Sequence, residues 1–444
     1  MKRRFIPWRV RHVNLAGSRD EWTLDGEGEG IFVVFWTGDI PLGRAWLDPN
    51  ELPLSAEQVA ELAARVVAPT VGYWTLGDYF SPNYPASAQF NESRRGGLSF
   101  ELLDRVREPL RAVGERGDHA GDVVARPPSL SVIVCTRDRP DSLARCLEAL
   151  LDSSEPADEI IVVDNAPQGD ETRSVTERFA GVRYVLEPVA GLSRARNTGV
   201  RAAKGELIAF TDDDVEVHPR WTMRVRSALS DGRHAAMTGL VLPASLEHES
   251  EYLFEAKFGG FSQGFRPMVY DRDFVESTVA WGVPVWRIGA GANMAFRRDA
   301  LDVTGGFDER LGAGRAGCSE DSELWYRMLR AGLSCVYEPR AVVAHRHRGD
   351  LRGLRRQMRA YTRGHVAALL AQFERTGDWG NVKRIAITLP KYYLGRLVGR
   401  LTTVAVPTTS TYVDEVAGSL AGIGYYLRHR RSAGAPALGE GRSE

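Results

Sequence analysis

The fold of this chain is decided by the stretch Leu207-Ile208-Ala209-Phe210-Thr211-Asp212-Asp213-Asp214, in which an apolar run ends on three consecutive carboxylates. A continuous apolar run is typical of a strand buried in a parallel sheet, and ligands bind at the carboxyl ends of such strands. Adjacent carboxylates repel one another unless a cation is present. Mg²⁺ and Mn²⁺ take oxygen ligands, usually one or two carboxylates with substrate phosphates. The stretch therefore indicates a metal site for a phosphorylated substrate, with an acidic helix cap as the alternative.

Strand-like and helical patterns alternate on the N-terminal side of this stretch. The alternation predicts a parallel sheet with right-handed crossovers. Polar residues that end three of the strands, Thr136, Asp164 and Asp212, are then expected along one edge of the sheet, where a nucleotide would bind. The predicted strands cover residues 130–136, 160–163, 182–185 and 207–211, and the predicted helices begin at 139, pass through 175–179 and cover 192–203.

Length and composition are those of an ordinary globular protein with two or three domains, since 444 residues are 43% hydrophobic and 26% charged. Residues 1–113 predict a small α+β module, with a strand at 31–36 and an amphipathic helix at 56–67. Residues 114–128, rich in glycine, proline and charge, predict a linker. The alternating pattern occupies residues 129–348. Residues 349–444 predict a basic helical region with a disordered tail.

Neither a secretory signal nor a run of about 18 uncharged apolar residues is evident. We therefore expect a cytoplasmic protein. The cysteines show no zinc spacing and no disulfide framework, so we expect reduced thiols, mostly buried, at Cys135, Cys146, Cys318 and Cys335.

Charge is unevenly distributed, because residues 345–431 contain sixteen Lys and Arg against five Asp and Glu. Solvated helix faces are the commonest reason for such a region. An amphipathic, arginine-rich segment can also lie on an anionic membrane surface at the inner face of the membrane, or form a helical cap or a homodimer contact. We expect no nucleic-acid partner.

Five motifs follow one another in a fixed order between about residues 128 and 348. They are Val132–Pro140, Ile161–Asn165, Gly191–Gly199, Phe210–Asp214, and Gly305–Asp308 followed by Glu320 and Asp321. In order and spacing this set resembles the family 2 glycosyltransferases of the GT-A fold. The resemblance implies a Rossmann-like α/β domain with a mostly parallel, mixed sheet and flanking helices. It implies inverting transfer of a sugar from a nucleotide diphosphate donor to an acceptor hydroxyl, assisted by Mg²⁺ or Mn²⁺.

The resemblance also assigns nucleotide-binding roles. Thr136 and Arg137 match the loop after the first strand, which contacts the nucleotide. Asp164 matches the carboxylate that bonds the base, and Arg196 matches a basic residue near base or phosphate. These residue types suit the task, because a carboxylate accepts from a base N–H and a guanidinium neutralises phosphate.

The three aspartates match the D-x-D motif of the family. We assign Asp214 to the metal and Asp212 to the ribose or the metal, with Asp213 able to replace either. His345 and His347 end a predicted strand at alternate positions, which face the same way. The resemblance implies that a histidine at this place can be a further metal ligand, so both are candidates, and a purely structural role is the alternative.

Asp321 matches the general base that takes the acceptor proton, so that a single displacement requires no covalent nucleophile. An acidic helix start is the alternative, since the macrodipole favours carboxylates there. Candidate contacts to the donor or acceptor sugar are Gly291, Asn293, Glu320 and Trp325.

Two other functions remain open at this point: a nucleotidyltransferase that makes sugar nucleotides, and a non-catalytic sugar-nucleotide-binding protein. The loop after the first strand lacks the glycine-rich basic pattern of the former, and two carboxylate sites disfavour the latter. Residues 357–361 lack the Gln-x-x-Arg-Trp motif of processive synthases, which favours single additions. We expect a glycan, a lipid-linked glycan or a small molecule as acceptor, in cell-envelope or glycoconjugate biosynthesis.

Overall fold

The computed structural model of the protein describes residues 5–76, 126–402 and 411–432, together with residues 434 and 436. Most of the predicted linker, residues 114–125, and the predicted disordered tail beyond residue 436 lie outside the described residues.

The N-terminal module contains three strands and one helix: β1 (Trp8–Asn14), β2 (Gly30–Thr37), β3 (Ile40–Leu47) and α1 (Ala56–Leu76). β2 pairs in parallel with β1 and antiparallel with β3. The predicted strand and helix are both present, but the helix continues nine residues beyond its predicted end, from 67 to 76. Val59, Ala63 and Val67 lie on one buried face of α1 and pack in the same core as β2.

The central part of the chain alternates strands and helices as predicted. Its elements are β4 (Leu130–Thr136), α2 (Pro140–Leu151), β5 (Glu159–Asn165), α3 (Glu171–Thr176), β6 (Val182–Glu187), α4 (Leu192–Ala202), β7 (Leu207–Asp212), β8 (Val215–Val217), α5 (Trp221–Leu229), β9 (Ala236–Pro243), α6 (Glu249–Phe258), β10 (Met268–Tyr270), α7 (Arg272–Thr278), β11 (Asn293–Arg297), α8 (Arg298–Thr304), α9 (Glu320–Arg330) and β12 (Cys335–His345).

Within the described ranges these strands form one nine-stranded sheet in the order β10-β12-β9-β11-β7-β4-β5-β6, with β8 paired to β12. β7, β4, β5 and β6 are parallel, as are β9 and β12. β11 runs antiparallel between β7 and β9. The predicted mixed, mostly parallel sheet is confirmed. Because β11 is antiparallel, it begins at the edge where β7 ends.

Side-chain alternation along the strands builds a core on each face of the sheet. On β4, Val132 and Val134 pack with Leu143 and Leu147 of α2. Ile133 faces the opposite side and joins the core that contains α4 and α9. The sheet is therefore covered by helices on both faces, which explains why its strands read as continuous apolar runs.

The N-terminal module packs directly against the central domain. The backbone N–H of Trp8 donates to Leu246 O at 3.1 Å, and the Trp8 ring stacks on Tyr252 of α6 at 5.2 Å. Arg224 of α5, whose side chain is buried, donates to Asp39 at 2.6 Å. The module is thus held by backbone pairing, aromatic packing and a largely buried ion pair.

The C-terminal region is helical, as predicted, with α10 (Leu351–Thr376), α11 (Trp379–Lys383), a π-helical turn (Arg384–Thr388), α12 (Leu389–Thr402) and α13 (Tyr412–His429). α13 packs closely against α10 through Gly418 and Gly422. A Cβ at these two positions would lie only 2.4 and 2.6 Å from backbone carbonyl oxygens of α10. None of the helices in the described ranges has the length and apolar character needed to cross a bilayer. The four cysteines are free thiols, as predicted.

Candidate active site

Two carboxylates and one imidazole converge at the end of β7. Ligand atoms of Asp212, Asp214 and His345 all lie within 4.8 Å of one another. The arrangement follows from strand pairing: β7 ends at Asp212, and the short β8 pairs antiparallel with β12, so that Val215 lies opposite His345. Asp214 precedes Val215, and its Oδ1 consequently lies 3.3 Å from His345 Nε2.

The donor set of this cluster fits a divalent cation of the Mg²⁺ or Mn²⁺ type, with phosphate oxygens to complete the coordination. Burial alone would raise the pKa of Asp214, but His345 and Arg139 outweigh it and lower that pKa to about 2. Desolvation raises the pKa of Asp212. Desolvation would lower the pKa of His345, but Asp214 raises it above its usual value.

Asp213 points away from the cluster. Its carboxylate accepts from Thr136 Oγ1 at 2.7 Å and from Arg139 Nη1 at 3.0 Å. Burial raises the pKa of Asp213 to about 6. Asp213 is therefore engaged by Thr136 and Arg139 and is not among the three converging ligands, and the expectation that it can replace either neighbour stays a prediction. Arg139 Nη1 also lies 2.9 Å from Asp214, so it connects the first-strand loop to the metal cluster.

The end of β5 places Asp164 in a buried position. Its Oδ2 accepts from the Tyr184 hydroxyl at 3.0 Å, while its Oδ1 makes no hydrogen bond within the described residues. Burial raises the pKa of Asp164. The neighbouring Asn165 accepts from the backbone N–H of Gly191 at 2.8 Å and so fixes the start of α4. The side chain of Arg137 remains 46% exposed, in reach of a ligand.

Arg196 on α4 joins the two acidic motifs. Its side chain is 3% exposed, and it donates to Glu320 at 2.6 Å and to Gly291 O at 3.3 Å. Its Nη2 lies 3.5 Å from Asp212 Oδ1. Burial raises the pKa of Glu320 to about 7 despite this arginine. Arg196 therefore connects Asp212, Glu320 and the Gly291 backbone at the base of the site. Its predicted contact with the base or phosphate of a nucleotide stays a prediction.

Asp321 is held by backbone donors at the start of α9. Its Oδ2 accepts from the N–H of Gly291 at 2.9 Å, and its Oδ1 accepts from the N–H of Ser322 at 2.6 Å. A Cβ at Gly291 would approach Arg196 Nη2 to 2.8 Å, so any larger residue there would have to displace the Arg196 guanidinium. Ser319, just before the helix, has a φ of +69°, a conformation that costs about 1–3 kcal/mol and is typical of functional sites.

Three predicted site residues have other roles in the structure. The amide of Asn293 donates to Leu240 O and Ala341 O and accepts from the indole of Trp221, which leaves little capacity for a sugar. Trp325 is fully buried in the core beneath the sheet. His347 is turned away from the metal cluster, because its Nε2 lies 2.8 Å from Glu255. Asn293 and Trp325 are therefore interior residues, and of the two histidines only His345 belongs to the metal cluster.

Sequence reasoning missed three residues that shape the site. Arg139 could have been found, because it shares a short loop with Thr136 and the following proline fixes the start of α2. Tyr184 and Glu255 had no local signal: each comes from a different element, and only the tertiary structure brings them to Asp164 and His347.

Residues 131–304 match the family model described as glycosyl transferase family 2. The match includes the ends of β4, β5 and β7, and with the observed sheet it confirms the predicted GT-A architecture. This part of the chain is therefore similar to the family 2 glycosyltransferases. The match assigns no role to any single residue, and Asp321 and His345 lie beyond it, so the roles of all the site residues stay predictions.

Curated relatives share the domain at low identity. A pre-mycofactocin glycosyltransferase of Mycobacterium tuberculosis is 28% identical over 51% of this chain and 46% of that protein. A glucosyl-dolichyl phosphate glucuronosyltransferase of Haloferax volcanii is 26% identical over 41% of this chain and 57% of that protein. The chain thus spans about half the length of these relatives.

Among solved structures, a mannosyltransferase of Pyrobaculum calidifontis in complex with GDP-Man and Mn²⁺ has a TM-score of 0.45 and 19% identity, covering 72% of this chain and 94% of that one. Glucosyl-3-phosphoglycerate synthase of Mycobacterium tuberculosis, in complex with Mn²⁺, UDP and phosphoglyceric acid, has a TM-score of 0.39 and 16% identity, covering 57% and 80%.

Proposed function

We propose that this protein is an inverting glycosyltransferase that moves a sugar from a nucleotide diphosphate sugar to an acceptor hydroxyl, with Asp321 as the general base. One observation carries the proposal: Arg196 lies between Asp212 of the metal cluster and Glu320, the neighbour of Asp321. A cation-binding cluster and a candidate base therefore share one site, as a reaction between a diphosphate and a hydroxyl requires.

In the proposed reaction, the acceptor oxygen attacks the anomeric carbon from the face opposite the diphosphate. Asp321 takes the hydroxyl proton, and the bond from the anomeric carbon to the diphosphate oxygen breaks with its electron pair on the leaving group. The two backbone donors at Asp321 fix the direction in which the carboxylate accepts this proton. A divalent cation held by Asp212, Asp214 and His345 would supply positive charge for the leaving diphosphate.

The donor nucleotide would lie along the ends of β4 and β5. The free Oδ1 of Asp164 is buried, and a buried acceptor without a partner is costly unless a ligand supplies a donor. A base N–H would satisfy it. Arg137 and Arg139 are both partly exposed and would flank the phosphates from the loop after β4.

Donor binding can be measured directly by thermal shift with UDP-, GDP- and dTDP-sugars, each with and without Mn²⁺. We expect one donor to raise Tm only with Mn²⁺, because a ligand at 100 times its Kd stabilises the native state by about 2.7 kcal/mol. Mn²⁺ without donor and donor without Mn²⁺ are the controls. Absence of any Mn²⁺-dependent shift across the panel, or retention of anomeric configuration in the product by NMR, would contradict the proposal.

A lipid-linked acceptor fits a surface of the C-terminal region that we name the apolar-basic face. On α12 it exposes three apolar side chains, of which Leu394 is 60% exposed. Lys383 and Lys391 lie exposed in the same region. Exposed apolar side chains beside basic ones match the chemistry of an anionic membrane surface. The apolar members of the face on α12 are Leu394, Leu397 and Val398.

Flotation with vesicles containing anionic lipid tests this contact. We expect the wild-type protein to float at low salt and the Leu394→Asp, Leu397→Asp double variant to remain at the bottom, because each charge opposes insertion of the face. Val303→Asp, at an equally exposed position on α8, should float like the wild type. A wild-type protein that does not float, and that elutes as a dimer dispersed by the double variant, would show that the face joins two copies instead.

A further inference from the structure

A chain of hydrogen bonds leads from the metal cluster into the interior. His345 Nε2 lies 3.3 Å from Asp214, and its Nδ1 lies 3.1 Å from His347 Nδ1. His347 Nε2 lies 2.8 Å from Oε1 of Glu255 on α6. His345 and His347 are each 8% exposed and Glu255 is 3% exposed, so water does not compete for these contacts. We call these three residues the His-His-Glu relay.

The relay selects one tautomer of each histidine. The carboxylate of Glu255 only accepts, so the Nε2 of His347 carries a proton. In neutral His347 the Nδ1 is then an acceptor, and it receives the Nδ1 proton of His345. With a cation in the cluster, His345 would bind it through the lone pair of Nε2, because its Nδ1 carries the proton that is donated to His347. That is the form in which an imidazole binds a metal ion.

Ring contacts fix the orientation of both imidazoles. The ring of Phe254 packs on His347 at 4.7 Å, and the ring of Phe261 meets His345 edge-on at 5.5 Å. Phe254 precedes Glu255 on α6, so one helix supplies both the carboxylate and a packing ring. The position of α6 therefore decides where the Nε2 atom of His345 points.

The N-terminal module holds this helix from behind. Arg44 of β3 places its Nη1 3.7 Å from Oε2 of Glu255, and neither atom has a hydrogen-bond partner among the described residues. Tyr252, one turn before Glu255, packs against Trp8 and Trp46 of the module. A buried carboxylate without a counter-charge is unfavourable, and Arg44 supplies a positive charge beside Glu255.

From these contacts we infer that Glu255 and Arg44 are positioning residues for the metal site, which present the Nε2 of His345 to a divalent cation, and that the N-terminal module is thereby part of that site. This inference rests on the metal cluster of the proposed function. It gives the module, which carries no chemistry of its own, a defined task.

Mn²⁺ binding to the full-length protein without donor, followed by electron paramagnetic resonance, tests the inference. We expect Glu255→Gln to raise the Kd for Mn²⁺ by about 10- to 100-fold, the usual effect of removing a partner of a metal-bound histidine. Arg44→Gln should raise it by a smaller factor. Glu249→Gln on the same helix and Arg11→Gln on β1 remove the same charges outside the relay and should bind like the wild type.

Catalysis provides a second readout. If the two residues act by positioning, saturating Mn²⁺ should restore most of kcat in Glu255→Gln, so that the Mn²⁺ activation constant changes and kcat does not. Glu255→Gln with wild-type Mn²⁺ affinity would overturn the inference while leaving the proposed function intact. A wild-type protein that binds no Mn²⁺ would overturn both. Should circular dichroism show Glu255→Gln to be unfolded, Arg44→Gln, whose side chain is 25% exposed, decides in its place.

Discussion

Replacing Asp321 by asparagine should lower turnover by about 10²- to 10⁴-fold, the range that a positioned general base contributes. The amide keeps the size of the carboxylate, and its oxygen can still accept one of the two backbone N–H groups, from Gly291 or Ser322. It cannot take up the acceptor proton at neutral pH. Since the donor is expected along β4 and β5, its affinity should change little. The measurement is kcat together with donor Kd.

Glu216→Gln is a suitable control for this variant. Glu216 lies on β8 close to the metal cluster, but its side chain is 45% exposed and its salt-bridge partner, Arg346, lies at the surface 3.6 Å away. The control should keep wild-type kcat and donor Kd. An Asp321→Asn protein that turns over at more than about a tenth of the wild-type rate would remove the assignment of the general base, since a base contributes about 100-fold or more.

Replacing Asp214 by alanine should abolish Mn²⁺-dependent transfer. The change removes the carboxylate that both contacts His345 and faces Asp212, and it leaves Arg139 without one of its two acidic partners. A bound cation typically supplies several kcal/mol of charge stabilisation. Since about 1.4 kcal/mol corresponds to a factor of ten in rate, we expect a loss of about 1,000-fold or more in kcat/KM.

Two measurements separate this effect from misfolding. Asp214→Ala should remain folded by circular dichroism with a somewhat lower melting temperature, because its contacts with Arg139 and His345 are lost while the repulsion from Asp212 is relieved. Mn²⁺ should no longer raise donor affinity. Glu216→Ala, two residues further along, provides the matched control and should respond to Mn²⁺ normally. Full activity of Asp214→Ala with Mn²⁺ would refute the metal assignment.

Much of the fold could be predicted because it depends on local patterns. The alternation of apolar runs with helical segments from residue 130 onward is what a parallel sheet with helices on both faces requires, and the observed β4 to β7 follow it. The choice of which strands pair with one another was not predictable. The parallel β1–β2 pair and the insertion of β11 between β7 and β9 have no local signal.

The candidate site divides in the same way. Strand ends mark Thr136, Asp164 and Asp212, because a polar residue that terminates a buried strand lies at the ligand-binding edge wherever the strand pairs. The direction in which each side chain points could not be predicted in this way, because it depends on the residues that pack beside it. Asp213 turns to Thr136 and Arg139, and Asn293 is consumed by interior hydrogen bonds.

The sequence alone determined the class of domain, the edge of the sheet that carries the chemistry, and the two acidic motifs, because these depend on residue type and spacing along one strand or one helix start. Tertiary structure decided how the parts join. Arg196, which lies beside Asp212, reaches Glu320 across 124 residues of sequence, and Glu255 reaches His347 across 92. Such contacts depend on packing between elements, which no local pattern encodes. One such contact is between Arg44 of the N-terminal module and Glu255 of α6, behind the metal cluster.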